Sequence, residues 1–328
     1  MSSHAHIHRP PVRPSVGVQL AVLGLGLLAY PSGAIFVRLA IQADDTTDAL
    51  GFSLFLAASR MLVTALCCVP AWRGFISGKY KKPELTYSAI AGIFLSLYFA
   101  TWMTSLSFTS IAASTTLVNL NPLWVILLSW RWLHHRPTRG TLLGASLAIV
   151  GAIWISVRTS VGAATESTMA LGNGLALAGS GAIAAYVLFG YVAQRAGLKL
   201  SHHMAVMYTT AAVVLLPMPL LLNISYFGHA PSTYGCIVLM ALITQLLGHS
   251  CINWSVKWIS PTALSIFLLS EPLIASGLGC LTFREIPTLS IFVGGGIVLM
   301  GVAIAILGQP SSGSDSYRQA SSIQSHAE

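Results

Sequence analysis

Three charged side chains fall inside long apolar runs: Arg38, Arg60 and Glu271. Charge placed in hydrocarbon is costly and tends to mark ion paths, relays or substrate contacts. Arg38 lies about four residues from the end of its run, where its long stem can snorkel to the surface or meet Asp44 and Asp45. Arg60 sits about eleven residues from the nearer end of its run and needs a partner, a polar cavity or an anionic substrate. Glu271 is eleven residues into its run, roughly 16 Å along a helix. A carboxyl group at that depth suits substrate recognition or proton exchange. The bland alternative is a helix-helix hydrogen bond. Pro272 follows Glu271, and proline removes a backbone donor and frees a carbonyl one turn earlier. Broken helices with polar groups at mid-depth are where transporters bind substrate.

Other polar residues recur at helical spacing. Gln245, His249 and Asn253 repeat every fourth residue and form one stripe. Tyr98 and Trp102 lie at matching depths in an earlier run and could face that stripe, an arrangement suited to an amphipathic substrate. Asn121 precedes Pro122 just as Glu271 precedes Pro272, so it is the candidate symmetry mate. Asn119, two residues away, points elsewhere and reads as a packing hydrogen bond. The candidate substrate-binding set is therefore Glu271, Asn121, Trp102, Tyr98, Gln245, His249, Asn253 and Arg60. His4, His6 and His8 read as a polar tail, not a metal site. No P-loop, Ser-His-Asp set or metal-ligand cluster is present, and Gly24-Leu25-Gly26 follows no strand, so no catalytic residue, cofactor or metal is expected. An enzyme acting on lipids would lack a nucleophile and base.

The elements that must carry these residues are membrane helices. Of 328 residues, 55% are hydrophobic and 8% charged, against roughly 25% charged in soluble domains. The formal net charge of +8 forms no basic face and sits in short loops, which excludes a nucleic-acid partner. Ten runs are long enough to span a bilayer, at about 20 residues each: 18–41, 49–72, 86–107, 109–131, 138–157, 170–194, 203–225, 232–256, 260–283 and 287–308. The first is too long for a signal-peptide core and is expected to be retained. Cys67, Cys68, Cys236, Cys251 and Cys280 lie in apolar runs and read as small packing residues. With the N-terminus inside, thirteen Lys and Arg fall in cytoplasmic segments and only Arg158 and Arg284 outside, an orientation bias that also favours an even number of spans. Trp72, Trp130, Trp132 and Trp258 fall at the inner ends.

The second half repeats the first at a shift of 150. Ala91 matches Ala241, Leu97 matches Leu247, Ser105 matches Ser255, Pro122 matches Pro272, Gly144 matches Gly294 and Gly151 matches Gly301. Five spans per copy force the copies into opposite orientations, the usual scaffold of secondary transporters. The expected fold is thus all-α and integral to the membrane: ten transmembrane helices as two inverted five-helix repeats. The expected divisions are a disordered cytoplasmic tail 1–17, a first repeat 18–157, a linker 158–169, a second repeat 170–308 and a disordered cytoplasmic tail 309–328.

The run Thr101-Trp102-Met103-Thr104-Ser105-Leu106, then Thr109-Ser110-Ile111-Ala112-Ala113-Ser114, Asn121-Pro122-Leu123, Arg136-Pro137-Thr138 and Gly144 resembles the drug/metabolite transporter superfamily in its EamA-type branch. The second copy repeats it at Ser260-Pro261-Thr262-Ala263, Glu271-Pro272-Leu273, Glu285-Ile286-Pro287-Thr288 and Gly294. The resemblance implies ten helices, both termini cytoplasmic, and a substrate path between halves for small metabolites such as amino acids or drugs. It also makes segments 5 and 10 peripheral or dimer-facing. Their small-residue ridges are Gly140 and Gly144, and Gly301 and Ala305. The acid that the family often carries before Pro-Thr is kept at Glu285 and replaced by His135. The expected protein is a multi-pass cell-membrane secondary transporter, most readily an amino-acid or related metabolite or drug exporter. Its partners are a small-molecule substrate and the lipid bilayer, with proton or counter-substrate coupling and room for a homodimer. The rival reading is a non-transporting membrane sensor or scaffold.

Overall fold

The computed structural model describes residues 14–44, 49–76, 82–105, 108, 114, 117–133, 136–158, 166–283 and 289–308. Asp45, Asp48, Thr109–Ala113, His135, Glu285 and the His4/His6/His8 tail lie outside the described residues, as do the two terminal tails from 1 to 13 and from 309 onward. Among the described residues the secondary structure is entirely helical.

A helix lies in each of the ten predicted segments. Segment 1 holds α1 (Val16–Ala29) and α2 (Ser32–Ala43). Segment 2 holds α3 (Ala49–Cys67) and α4 (Val69–Ile76). Segments 3 to 6 hold α5 (Lys82–Ser105), α6 (Asn121–Leu133), α7 (Arg139–Arg158) and α8 (Glu166–Arg195). Segment 7 holds α9 (Leu200–Leu215) and α10 (Pro217–Leu221). Segment 8 holds α11 (Pro231–Leu239), a π-helix (Met240–His249) and α12 (Ser250–Ser255). Segment 9 holds α13 (Pro261–Leu268) and α14 (Glu271–Phe283), and segment 10 holds α15 (Leu289–Leu307). Among the described residues seven stretches are long and apolar enough to cross a membrane: Val16–Ala43, Leu50–Cys67, Lys82–Ser105, Ala170–Arg195, Leu200–Leu221, Pro231–Ser255 and Pro261–Phe283. The chain is an integral multi-pass membrane protein.

Local chemistry sets many of the boundaries. Pro217, Pro231 and Pro261 open helices at positions where the missing N–H is not needed. The Ser260 hydroxyl accepts from the Ala263 N–H, capping α13. Pro31 separates α1 from α2, since its ring cannot follow a helical turn without breaking a bond.

The two copies run in opposite directions. A Cβ on Gly140 would press on Gly308, one on Gly144 on the backbones of Gly301 and Ala305, and one on Gly151 on Gly294 and Val298. Numbers rise along α7 as they fall along α15, so these helices, which are repeat mates, are antiparallel. The contacts also exchange under the shift of 150: Gly144 meets Gly301, and Gly151 meets Gly294. A two-fold relation between copies produces that pattern. The Thr138 hydroxyl, at the start of α7, donates to the Gly308 carbonyl 2.7 Å away at the end of α15.

The glycine ridges of segments 5 and 10 let helices approach closely, as expected, and the approach is within the chain. They face each other, because only backbones free of side chains approach within the 2.4–2.7 Å Cβ distances found here. What α7 and α15 leave outward is a leucine-rich surface, including Leu143, Leu299 and Leu307.

The core gathers segments 1, 2, 3, 6, 7 and 8 around Leu95, Tyr98, Tyr186, Met207 and Tyr208. Segments 3 and 6 make the most extensive contact in the bundle, together with segments 5 and 10.

Candidate functional site

Both helices expected to break at mid-depth do so, and at matching positions. In segment 9, α13 ends and α14 begins across Leu269 and Ser270. The Leu269 N–H donates to Ile266 O at 3.1 Å and the Ser270 N–H to Phe267 O at 3.0 Å. In segment 4 the Leu120 N–H donates to Leu117 O at 3.2 Å, the bond that a shift of 150 maps onto Ser270–Phe267. These three-residue closures tighten the last turn before each proline. Glu271 and Asn121 are then the first residues of α14 and α6. A carboxylate at a helix N-terminus sits in the favourable end of the dipole. Glu271 is half-buried, within electrostatic reach of the Tyr30 and Tyr98 phenols. Asn121 is buried and donates to Val118 O at 3.4 Å. Asn119 lies in the turn itself, not on a continuous helix, and is also buried.

Arg60 is 3% exposed, and it is the only buried Lys, Arg, Asp or Glu among the described residues. Its guanidinium lies 3.9 Å from the centroid of the Phe99 ring. It is within electrostatic reach of Tyr98, Tyr30 and Tyr208. Its Nε and Nη2 have no hydrogen-bond partner among the described residues. Arg60 and Glu271 form no ion pair there, although Tyr30 and Tyr98 are neighbours of both. Trp102 stacks on Tyr98 with centroids 5.8 Å apart and planes 9° from parallel, and its Nε1 has no partner either. Arg38, by contrast, lies over Phe283, 4.4 Å from the ring centroid.

Segment 8 differs from the sequence expectation in its backbone. Met240–His249 is a π-helix, a form found mostly in short pieces at functional sites. Nothing local in the sequence announces it, because the groups that support it come from elsewhere. The Tyr208 hydroxyl of α9 donates to Gln245 O at 3.2 Å, and the Ser250 hydroxyl donates to Leu246 O. Gly248 lets the backbone of Tyr30 come so close that a Cβ would lie 2.8 Å from the Tyr30 nitrogen. Ser32 and Thr244 share a hydrogen bond of 3.1 Å across the same contact.

The polar stripe is real, but the aromatic groups that answer it are not Tyr98 and Trp102. His249 meets the Tyr30 ring edge-on at 4.9 Å, and its Nδ1 is 3.3 Å from the Tyr186 hydroxyl. Asn253 Nδ2 donates to Tyr186 Oη and to His249 O, both at 2.8 Å, and the Asn253 backbone carbonyl accepts from Gln194 Nε2 at 2.8 Å. Gln245 donates weakly to Met61 Sδ at 3.8 Å, while its Oε1 is buried without a partner. Segment 8 packs against segment 1, which puts Tyr30 opposite the stripe. Tyr98 and Trp102 turn instead toward Arg60 and Phe99. Sequence reading also missed Tyr30, Tyr186, Tyr208 and Phe99. Buried tyrosines on three runs were the available signal, but their convergence needed the fold.

A second polar cluster sits between the end of α2 and the start of α11. Asp44 Oδ2 accepts from His229 Nδ1 at 2.9 Å, the Ala230 N–H at 3.3 Å and the Thr233 hydroxyl at 3.4 Å. His229 stacks on Phe55, centroids 4.2 Å apart, and its Nε2 lies 3.0 Å from Ser225 O. Each polar atom of this cluster that these bonds involve has a partner.

The model of the EamA-like transporter family matches residues 17–157 and again 170–307, one match for each copy of the repeat. The chain is a member of the EamA-like transporter family. Two curated relatives are themselves uncharacterized transporters. One, YyaM of Bacillus subtilis (strain 168), is 22% identical over 300 residues, covering 88% of this chain and 93% of the relative. The other, from Archaeoglobus fulgidus, is 26% identical over 203 residues, covering 60% of this chain and 68% of the relative. A solved crystal structure superimposes with a TM-score of 0.71 at 16% identity, over 90% of this chain and 98% of its own, and shares the fold. In this EamA member Asn121, Arg60 and Gln245 are buried and Glu271 is half-buried.

Proposed function

We propose that the chain is a secondary transporter that carries a small organic solute by alternating access, with an amino acid or related metabolite or drug as the favoured cargo and efflux as the favoured direction. The two copies, five spans each with both termini cytoplasmic, would rock about a site at mid-depth between them. The observation that carries this reading is the set of polar atoms left open where the copies meet. Arg60 Nε and Nη2, Trp102 Nε1 and Gln245 Oε1 are buried without partners among the described residues, and they come from segments 2, 3 and 8. Most buried polar atoms in proteins are paired, because an unpaired one costs about 1–3 kcal/mol. Arg60 and Trp102 both neighbour Tyr98, and open atoms there suit a ligand that supplies the missing bonds. Glu271 and Asn121, at the two broken helices, add a charge and a carboxamide at the symmetry-related positions of the two copies.

The gradient or exchange that drives the cycle involves Glu271 as the proton-handling or substrate-handling group. The test is uptake and counterflow of labelled amino acids in proteoliposomes at two pH values. Wild-type protein is expected to accumulate at least one label. Glu271→Gln is expected to change the rate or its pH dependence. An unchanged rate and pH dependence in Glu271→Gln would remove Glu271 from the mechanism. Absence of flux for every label, together with a dry and closed mid-depth, would favour a sensor or scaffold.

A further inference from the structure

Resting on the transporter reading, we infer that Arg60 is the docking point for a carboxylate and that the transported solute carries one. The argument begins with which nitrogens are open. A guanidinium binds a carboxylate best through two parallel N–H groups on one edge. One such edge is formed by Nε together with Nη2. Those are the two nitrogens of Arg60 that lack partners. The face of the group is already used, since it stacks 3.9 Å from the Phe99 centroid. Stacking leaves the edge free and holds the plane of the fork in one orientation.

Charge points the same way. A buried ion without a counter-ion is strongly unfavourable. Arg60 is 3% exposed, and no Asp or Glu pairs with it among the described residues. The groups within its electrostatic reach are the neutral phenols of Tyr98, Tyr30 and Tyr208 and the His249 ring. A purely structural residue at that position would be cheaper as Met or Gln. A monoanion fits better than a phosphate dianion, because Arg60 is the one buried Lys or Arg among the described residues and the Glu271 carboxylate reaches two of the same tyrosines, Tyr30 and Tyr98. Tyr98, a neighbour of Arg60, stacks on Trp102, whose indole N–H has no partner among the described residues. That wall suits an apolar or aromatic body attached to the acid.

Thermal unfolding of the purified full-length protein tests this with matched pairs. The probes are L-phenylalanine, L-leucine and 3-phenylpropionate, each against its carboxamide, with phenyl phosphate as a separate arm. At least one acid is expected to raise the wild-type midpoint while its amide does not. Arg60→Gln should lose that shift. Arg60→Lys, which keeps the charge without the fork, should weaken apparent affinity by about tenfold, and Phe99→Leu should weaken it as well. Without ligand, Arg60→Met should melt at or above the wild-type temperature, since it removes an uncompensated buried charge. The inference fails if no acid shifts the midpoint, if an amide matches its acid, or if Arg60→Gln keeps the shift. It also fails if phenyl phosphate outdoes the acids or if Arg60→Met melts well below wild type. Counterflow of the same acid separates the two readings. An Arg60-dependent shift without counterflow leaves the carboxylate site standing and removes transport. Counterflow of acid and amide alike, unaffected by Arg60→Gln, does the reverse.

Discussion

The contact between segments 1 and 8 and the contact between segments 3 and 6 are repeat mates, yet they are built differently. In the second, α5 and α8 are unbroken helices of 24 and 30 residues. A Cβ on Gly179 would meet the Thr101 hydroxyl at 3.0 Å, a side chain able to turn away. In the first, both partners are irregular. Pro31 breaks segment 1 beside Tyr30, and a π-helix replaces the α-helix from Met240 to His249. Gly248 there meets backbone, the Tyr30 nitrogen at 2.8 Å and its Cα at 2.9 Å. One scaffold has therefore kept one of its two equivalent seams regular and close-packed. The other has been bent around polar side chains. The irregular seam delivers Tyr30, His249 and Gln245 toward the centre, so departure from symmetry and placement of polar groups coincide.

The largest effect on this contrast should come from Gly248→Ala. A methyl group against fixed backbone is expected to destabilise the protein by about 1–3 kcal/mol, seen as a lower melting temperature and lower yield. Next, Glu271→Gln should reduce counterflow by about tenfold, equivalent to 1.4 kcal/mol in the barrier, while Asn121→Ala costs only a few-fold. Equal losses at both would mean the broken helices contribute symmetrically. Third, two residues of one stripe should part company. Asn253→Ala removes bonds to Tyr186 and His249 O and should lower stability by about 1 kcal/mol. Gln245→Ala removes an already open oxygen and should spare stability while changing apparent affinity. The Asp44–His229 cluster is a control with satisfied bonds, and Asp44→Asn should cost about 1 kcal/mol of stability with affinity unchanged. The smallest effect is Gly179→Ala, within about 0.5 kcal/mol of wild type. A large loss there would show the regular seam to be as tightly constrained as the irregular one.

Much of this was legible in the chain. The shift of 150 located the repeat and matched Gly144 with Gly294 and Gly151 with Gly301, but that these glycines meet across one antiparallel seam came only from the structure. Pro122 and Pro272 marked the two mid-depth breaks, because proline acts on its own neighbours in sequence. Arg60 and Glu271 stood out because charge is rare in apolar runs. The π-helix was not legible: Tyr208 and Tyr30, which support it, lie 37 and 218 residues from Gln245 and Gly248. Nor was the partner of Asp44, since His229 is 185 residues away.

The sequence by itself determined that the protein is a helical membrane protein made of two related copies, since hydropathy, proline and glycine act locally and the copies can be aligned by eye. Tertiary structure alone decided which buried groups are satisfied and which are left open. Asn253 and Arg60 look alike as buried polar residues in an apolar run. The Asn253 amide donates to Tyr186 across the bundle, whereas Arg60 lies over Phe99 with its Nε and Nη2 unpartnered among the described residues. Hydrogen bonding is short-ranged and directional, so that difference exists only once distant segments are brought together.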